Sequence, residues 1–212
     1  MWAKSGSSSA AHWRPTSESA SQDMYFSADV ETDGPIPGPY SMLSFALVVA
    51  GSFNGRRFHR PETYDESFYA QLAPISDEFE PEALAVNGLD RDALIKIGTP
   101  PAQAMRDASH WIRERCGDAK PVLVAYPLSF DWSWLYWYFI RFTGASPFKH
   151  SQCFDIKTAV AVKRGIPLST AGRKHLPPRL RSTKDNTHHA VDDAIAQAEI
   201  FANVFEYQGG ED

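Results

Sequence analysis

Residues 25–31 read Tyr25-Phe26-Ser27-Ala28-Asp29-Val30-Glu31, a short run rich in β-formers that stops at Thr32-Asp33-Gly34-Pro35. On a strand, side chains two apart point to one face, so Asp29 and Glu31 share theirs. Two neighbouring carboxylates on a mostly apolar strand repel unless a positive charge lies between them. A divalent cation that prefers oxygen ligands meets that need. A strand end emerging into solvent at the Asp33-Gly34 turn would carry the same two residues, and the pair alone does not choose between these readings.

Outward from this run the pattern is β-rich and then alternates. Residues 41–50, SMLSFALVVA, form a second apolar run, and 54–60, NGRRFHR, return as a hairpin with Asn54-Gly55 at the turn. FYAQLAP (68–74) ends this part. Pro81 opens a short helix closed by Asn87-Gly88, and Pro100-Pro101 open a longer one with Ala104, Ala108, Trp111 and Ile112 at helical spacing. PVLVAY (121–126) reads as a buried strand, FDWSWLYWYFIRF (130–142) as an aromatic helix, and 151–154 as a last short strand before a helix over 155–164. Residues 165–187 are a basic loop, and 189–207 a final helix with Ala190, Ala194, Ala198, Phe201 and Phe205 on one side. This order predicts an α/β fold, a mixed sheet with helices packed on it.

The 212 residues suit one domain, expected over 24–208. Residues 1–23 are rich in Ser and Ala without apolar periodicity and read as a flexible tail. They hold no apolar core of a secretory signal, and no run is long enough to span a bilayer, so the expected compartment is the cytoplasm, without membrane attachment. Cys116 and Cys153 then read as free thiols. A net charge of −5 argues against coating long duplexes through bulk positive charge, but not against taking one strand end into a pocket.

Two further segments carry chemistry. Asp131 follows the VLVAY strand at its carboxyl end, where ligands of α/β sheets gather, although aspartate there also caps helices. In THHAVDDA (187–194), His188 and Asp193 are five apart and do not share a face of a regular helix. His188 would therefore sit on the loop or first turn, with Asp193 inside the helix. His189–Asp193 and His188–Asp192 are four apart and would also serve as plain surface pairs.

Taken together these segments resemble the DEDDh exonucleases of the ribonuclease-H-like fold. Asp29-Val30-Glu31-Thr32 is similar to that family's D-x-E-T strand, Phe130-Asp131-Trp132 to its second motif, and His188-His189-Ala190-Val191-Asp192-Asp193-Ala194 to its H-x-A-x-x-D-A. That register selects His188 and Asp193. The stretch PEALAVNGLDRDALIKIGTPPAQAMRDASHWI resembles the family's helix, turn and following helix, and the likeness covers roughly 24–206. It departs at Ala125-Tyr126-Pro127-Leu128, where the family often has a His-Asn pair that shapes the substrate groove.

The resemblance implies a mixed five-stranded sheet flanked by helices, and a metal-dependent 3′-5′ exonuclease acting on the 3′ end of single-stranded RNA or DNA. RNA is favoured because small stand-alone members often trim RNA. Two ions, Mg²⁺ or Mn²⁺, would be held by Asp29, Glu31, Asp131 and Asp193, with His188 accepting the proton of the attacking water. A proofreading or repair DNA exonuclease, or a non-catalytic nucleic-acid-binding module, are the alternatives. The resemblance also implies that the backbone at Thr32 meets the terminal sugar, and that an apolar wedge comes from Met42, Leu43 or Phe45.

Arg173, Lys174, Arg179, Arg181 and Lys184 precede His188 and would neutralise strand phosphates, with Arg179, Arg181 and Lys184 as substrate-binding candidates. A solvated charged loop is the plainer reading. In the aromatic helix, Trp134, Trp137 and Tyr138 share a stripe expected in the core. The remaining aromatic face could serve a homodimer contact.

Overall fold

The computed structural model describes residues 22–184 and 187–209. The expected N-terminal tail lies outside the described residues save for its last two positions, and Asp23 already opens the first strand.

The strands are β1 (Asp23–Thr32), β2 (Met42–Phe53), β3 (Phe58–His59), β4 (Ser67–Gln71), β5 (Lys120–Ala125) and β6 (Cys153–Asp155). The helices are α1 (Pro81–Asn87), α2 (Arg91–Ile97), α3 (Pro101–Cys116), α4 (Leu128–Thr143), α5 (Ile156–Arg164) and α6 (Ala190–Glu206). β1 runs antiparallel to β2 and parallel to β5, which is parallel to β6. β3 and β4 both pair with β2, β3 at Ser52–Phe53 and β4 at Ser44–Val48. The expected five-stranded sheet is therefore six strands across five positions, because two short strands share the outer edge. Helix α2 is an addition to the expected pattern. Its start is capped by Asp90, whose side chain accepts from the Ala93 amide at 3.0 Å.

The pleat of β1 sorts its residues between two cores. Phe26, Ala28 and Val30 pack with Ala104, Met105, Ala108, Leu135 and Phe139 of α3 and α4. Tyr25 packs on the other side with Ala194, Ala198 and Phe201 of α6 and Val160 of α5. Asp29 and Glu31 follow Tyr25 in this alternation and face α6. Against α6 the sheet meets alanine at 190, 194 and 198, and these small side chains let the helix lie close. Gly51 (φ 139°) lies where a Cβ would meet the Phe58 ring at 2.6 Å, beside a break in the β1–β2 register.

In α4, Trp134 and Tyr138 are buried as expected, while Trp137 is only half-buried. The Tyr138 hydroxyl accepts from the Met42 amide at 2.6 Å. Phe130, Tyr136 and Ile140 form its exposed side. Cys116 and Cys153 are free thiols, as expected. No helix among the described residues is long and apolar enough to cross a membrane.

Candidate active site

The carboxyl end of β1 outruns its parallel neighbour. Pairing with β5 ends at Ser27–Val124, after which the chain turns into α4 and leaves that side of β1 open. Asp131, in the first turn of α4, fills the gap. Its Oδ1 accepts from the Val30 amide at 3.1 Å, and the side chain is buried. The side chain, which could also have served as a plain helix cap, thus reaches the amide of a neighbouring strand.

Asp193 enters from the other side, in the first turn of α6, and is also buried. Its two carboxylate oxygens accept from the amides of Thr187 (3.2 Å) and His188 (3.0 Å). His188 stands on the loop before the helix with φ 56°, a left-handed conformation uncommon outside glycine. This bend folds the loop over the Asp193 carboxylate. His188 is exposed, and one ligand atom each from Glu31, His188 and Asp193 lie within 4.8 Å of one another. His189 turns away and packs on the Tyr69 ring, centroids 5.3 Å apart, with Asp192 at 3.9 Å. The surface pair at this helix start is therefore His189–Asp192, and Asp192 also accepts from the Thr187 hydroxyl at 3.3 Å.

Asp29 receives a hydrogen bond from a residue that the sequence reading passed over. The Nε2 of Gln197, one turn beyond Asp193 on α6, donates to Asp29 Oδ1 at 2.8 Å. The only sequence signal was its position four residues after Asp193, on the same helical face. Among the alanines of this helix it reads as an ordinary core polar residue.

The electrostatics follow from this crowding. Burial holds the Asp29 carboxyl well above the usual range, and Asp131, Glu31 and Asp193 push it further, while Arg173 opposes them. Burial, then Asp193 and Asp131, raise Glu31 to about 8. Asp131 is raised by burial to about 7, against the pull of the Asp131 and Val30 amides and of Arg173. Ionised together, these groups need a positive charge among them. Clustered carboxylates plus an imidazole, all hard or borderline donors, fit Mg²⁺ or Mn²⁺.

The substrate-side candidates are more scattered. Thr32 is buried, its hydroxyl donates to Gly34 O at 2.8 Å, and its carbonyl accepts from Asn87 Nδ2 at 3.0 Å. The wedge expected from Met42, Leu43 or Phe45 is corrected, since all three have no accessible surface and belong to the interior of β2. Arg179 lies over the Tyr207 ring at 4.5 Å and donates to its hydroxyl at 2.8 Å. Arg181 Nε donates to Leu176 O at 2.7 Å. Arg181 and Lys184 join Arg173 and Lys174 around a hollow of about 420 Å³ walled by Leu176, Ala196 and Ile200. Of the basic loop, Arg173 acts most directly on the carboxylates.

Residues 29–205 match the profile of the Rv2179c-like 3′-5′ exoribonuclease domain. The chain belongs to this family. It is a 3′-5′ exonuclease of the DEDDh type. The 3′-5′ DNA exonuclease Cap18 of Escherichia coli is 33% identical over 181 residues, covering 85% of this chain and 90% of that protein. Among solved structures, the nuclease domain of 3′hExo, a DEDDh member bound to rAMP, superposes with a TM-score of 0.64 at 13% identity, covering 88% of this chain and 92% of that one. Pop2p of S. pombe, solved with Mg²⁺ and Mn²⁺ bound, gives a TM-score of 0.59 at 15% identity, covering 87% and 83%. These two likenesses are of fold, and the fold is that of the ribonuclease-H-like DEDDh exonucleases.

Proposed function

We propose that residues 24–208 form the catalytic domain, and that it removes nucleotides from the 3′ end of single-stranded nucleic acid, RNA in preference to DNA. Asp29, Glu31, Asp131 and Asp193 would hold two divalent cations, Mg²⁺ or Mn²⁺. The observation that carries this reading is the meeting of Glu31, His188 and Asp193 within 4.8 Å, next to a buried Asp29 whose ionisation Asp131, Glu31 and Asp193 oppose. When bound, the two cations supply charge stabilisation for the attacking and leaving oxygens of an in-line displacement.

The chain's own residues do the rest. His188 takes the proton of the attacking water, and its exposed position on a bent loop lets it close over a bound strand end. The Thr187 and His188 amides fix both oxygens of Asp193, so the loop that carries the base is anchored to one carboxylate. Asp131 is held to the β1 backbone at Val30. Arg173, Lys174, Arg181 and Lys184 offer positive charge to the strand's phosphates, and Thr32 borders the terminal sugar. Arg179, engaged with Tyr207, contributes to that surface from its edge.

The family's description as an exoribonuclease domain supports RNA. A second reading, DNA as the substrate, is favoured by the name of the 33% identical relative. One experiment separates them. Single-stranded RNA and DNA of several lengths, labelled at the 5′ end, are incubated with Mg²⁺ or Mn²⁺ and either the wild type or Asp29→Ala. Ladders shortened from the 3′ end in the wild type alone, faster on RNA, are expected. Faster shortening of DNA selects the second reading. Equal degradation by Asp29→Ala overturns the assigned site. His188→Ala that kept full turnover would remove the proton-acceptor role.

A further inference from the structure

We infer that Gln197 is a positioning residue for the metal site, acting through Asp29. The inference rests on the assignment of Asp29 as a metal-binding carboxylate made above. Gln197 is 1% exposed, so its polar head has been taken out of water, and its Nε2 is the amide atom that finds a partner while its buried Oε1 has none. Its Nε2 spends one hydrogen on Asp29 Oδ1 at 2.8 Å. A primary amide combines this reach with an N–H donor and no charge. A lysine here would bring a positive charge that competes with a cation, and a glutamate a further negative charge.

The bond has a geometric consequence. With Oδ1 tied to α6, the Asp29 carboxylate loses its freedom to rotate, and Oδ2 is left in a fixed direction. The same helix carries Asp193 one turn earlier, so one rigid element sets the orientation of one carboxylate and supplies another. Asp131 is fixed by the Val30 amide and Asp193 by two loop amides. Gln197 therefore completes a pattern in which each of three carboxylates has an oxygen held by a neutral N–H donor. Hydrogen-bond partners behind metal ligands commonly contribute about 10–100-fold to affinity.

The test uses the full chain with Mn²⁺ as the probe, titrated by calorimetry or by the spin-resonance signal of free Mn²⁺. Gln197→Met keeps length and volume and removes the donor, so the packing of α6 against the sheet is retained. Gln197→Asn keeps an amide but withdraws it by one methylene. Both are expected to weaken Mn²⁺ binding about 10–100-fold and to raise the Mn²⁺ needed for half-maximal turnover by the same factor. The KM for substrate at saturating Mn²⁺ should stay at the wild-type value. Mn²⁺ affinity within about twofold of wild type in both variants overturns the inference, on a scale set by the expected loss. Asp29→Asn is the control. If it too binds Mn²⁺ like the wild type, the assigned site has failed and this inference falls with it. If it loses Mn²⁺ while both Gln197 variants do not, the site stands and the role of Gln197 alone is refuted.

Discussion

Glu31 and Asp131 both hold their protons to unusually high pH, and this decides how the metal-free protein responds to pH. Burial raises both, Asp131 to about 7 against the pull of backbone amides and Glu31 to about 8 with Asp193 and Asp131 adding to it. Their ordinary values are 3.8 and 4.5. Between those limits the folded chain binds protons that the unfolded chain has released, so unfolding becomes easier as pH rises. The stability associated with these protons is complete below the ordinary values and is lost as pH climbs through about 7 and about 8. In EDTA, the melting temperature should fall between about pH 5 and about pH 8. Saturating Mn²⁺ should remove the fall by replacing the protons, and Glu31→Gln should reduce it without metal. Thermal melts at both pH values with and without Mn²⁺ check this, and a metal-free melting temperature that climbed across the window would contradict it.

At the scale of elements, β1 and α6 make the site, and the distance between them is set by alanines. Ala194 and Ala198 have no accessible surface where α6 crosses the sheet. A leucine at 198 must push the helix outward or adopt a poor rotamer, at a cost of about 1–3 kcal/mol. A chain of this size loses roughly 2–4 °C of melting temperature per kcal/mol. The same displacement moves Asp193 and draws Gln197 off Asp29, so turnover of Ala198→Leu at a temperature where it remains folded should drop well beyond the unfolded fraction. Melting by circular dichroism beside single-turnover rates separates the two effects, and a rate loss no larger than the unfolded fraction would show that α6 tolerates the shift.

Elements of this kind were readable in advance because periodicity reports burial. The alternation in YFSADVE and the alanine and phenylalanine spacing in α6 each point to one face. Helix α2 was missed because seven residues, RDALIKI, are too short to build a periodic signal against the surrounding turns. Met42, Leu43 and Phe45 were misread because an apolar side chain that wedges a base and one that fills a core have the same chemistry. Gln197 left almost no trace, since its partner is 168 residues away and only the fold brings them together.

The whole molecule carries a net charge of −5 yet must approach a polyanion. The sheet places its carboxylates at one end, where bare negative charge would repel a phosphate. The basic loop before α6 offsets this locally. Arg173 already acts on Asp29 and Asp131, while Lys174, Arg181 and Lys184 border the adjoining hollow. Arg179 is engaged on Tyr207 and Arg173 is needed by the carboxylates, so neither is a clean probe of strand binding. The variant that isolates the loop's charge is therefore Lys174→Ser, Arg181→Gln and Lys184→Ser together. Each phosphate neutralised on a single strand contributes about −0.7 to the slope of log affinity against log salt. Loss of three such contacts should flatten the salt dependence of KM by about 2 for a long strand. A dinucleotide, which carries a single internucleotide phosphate, should show a much smaller change in slope than the long strand. An unchanged slope on the long strand would assign these cations to the solvated surface and leave the carboxylates to recruit their substrate through bound metal alone.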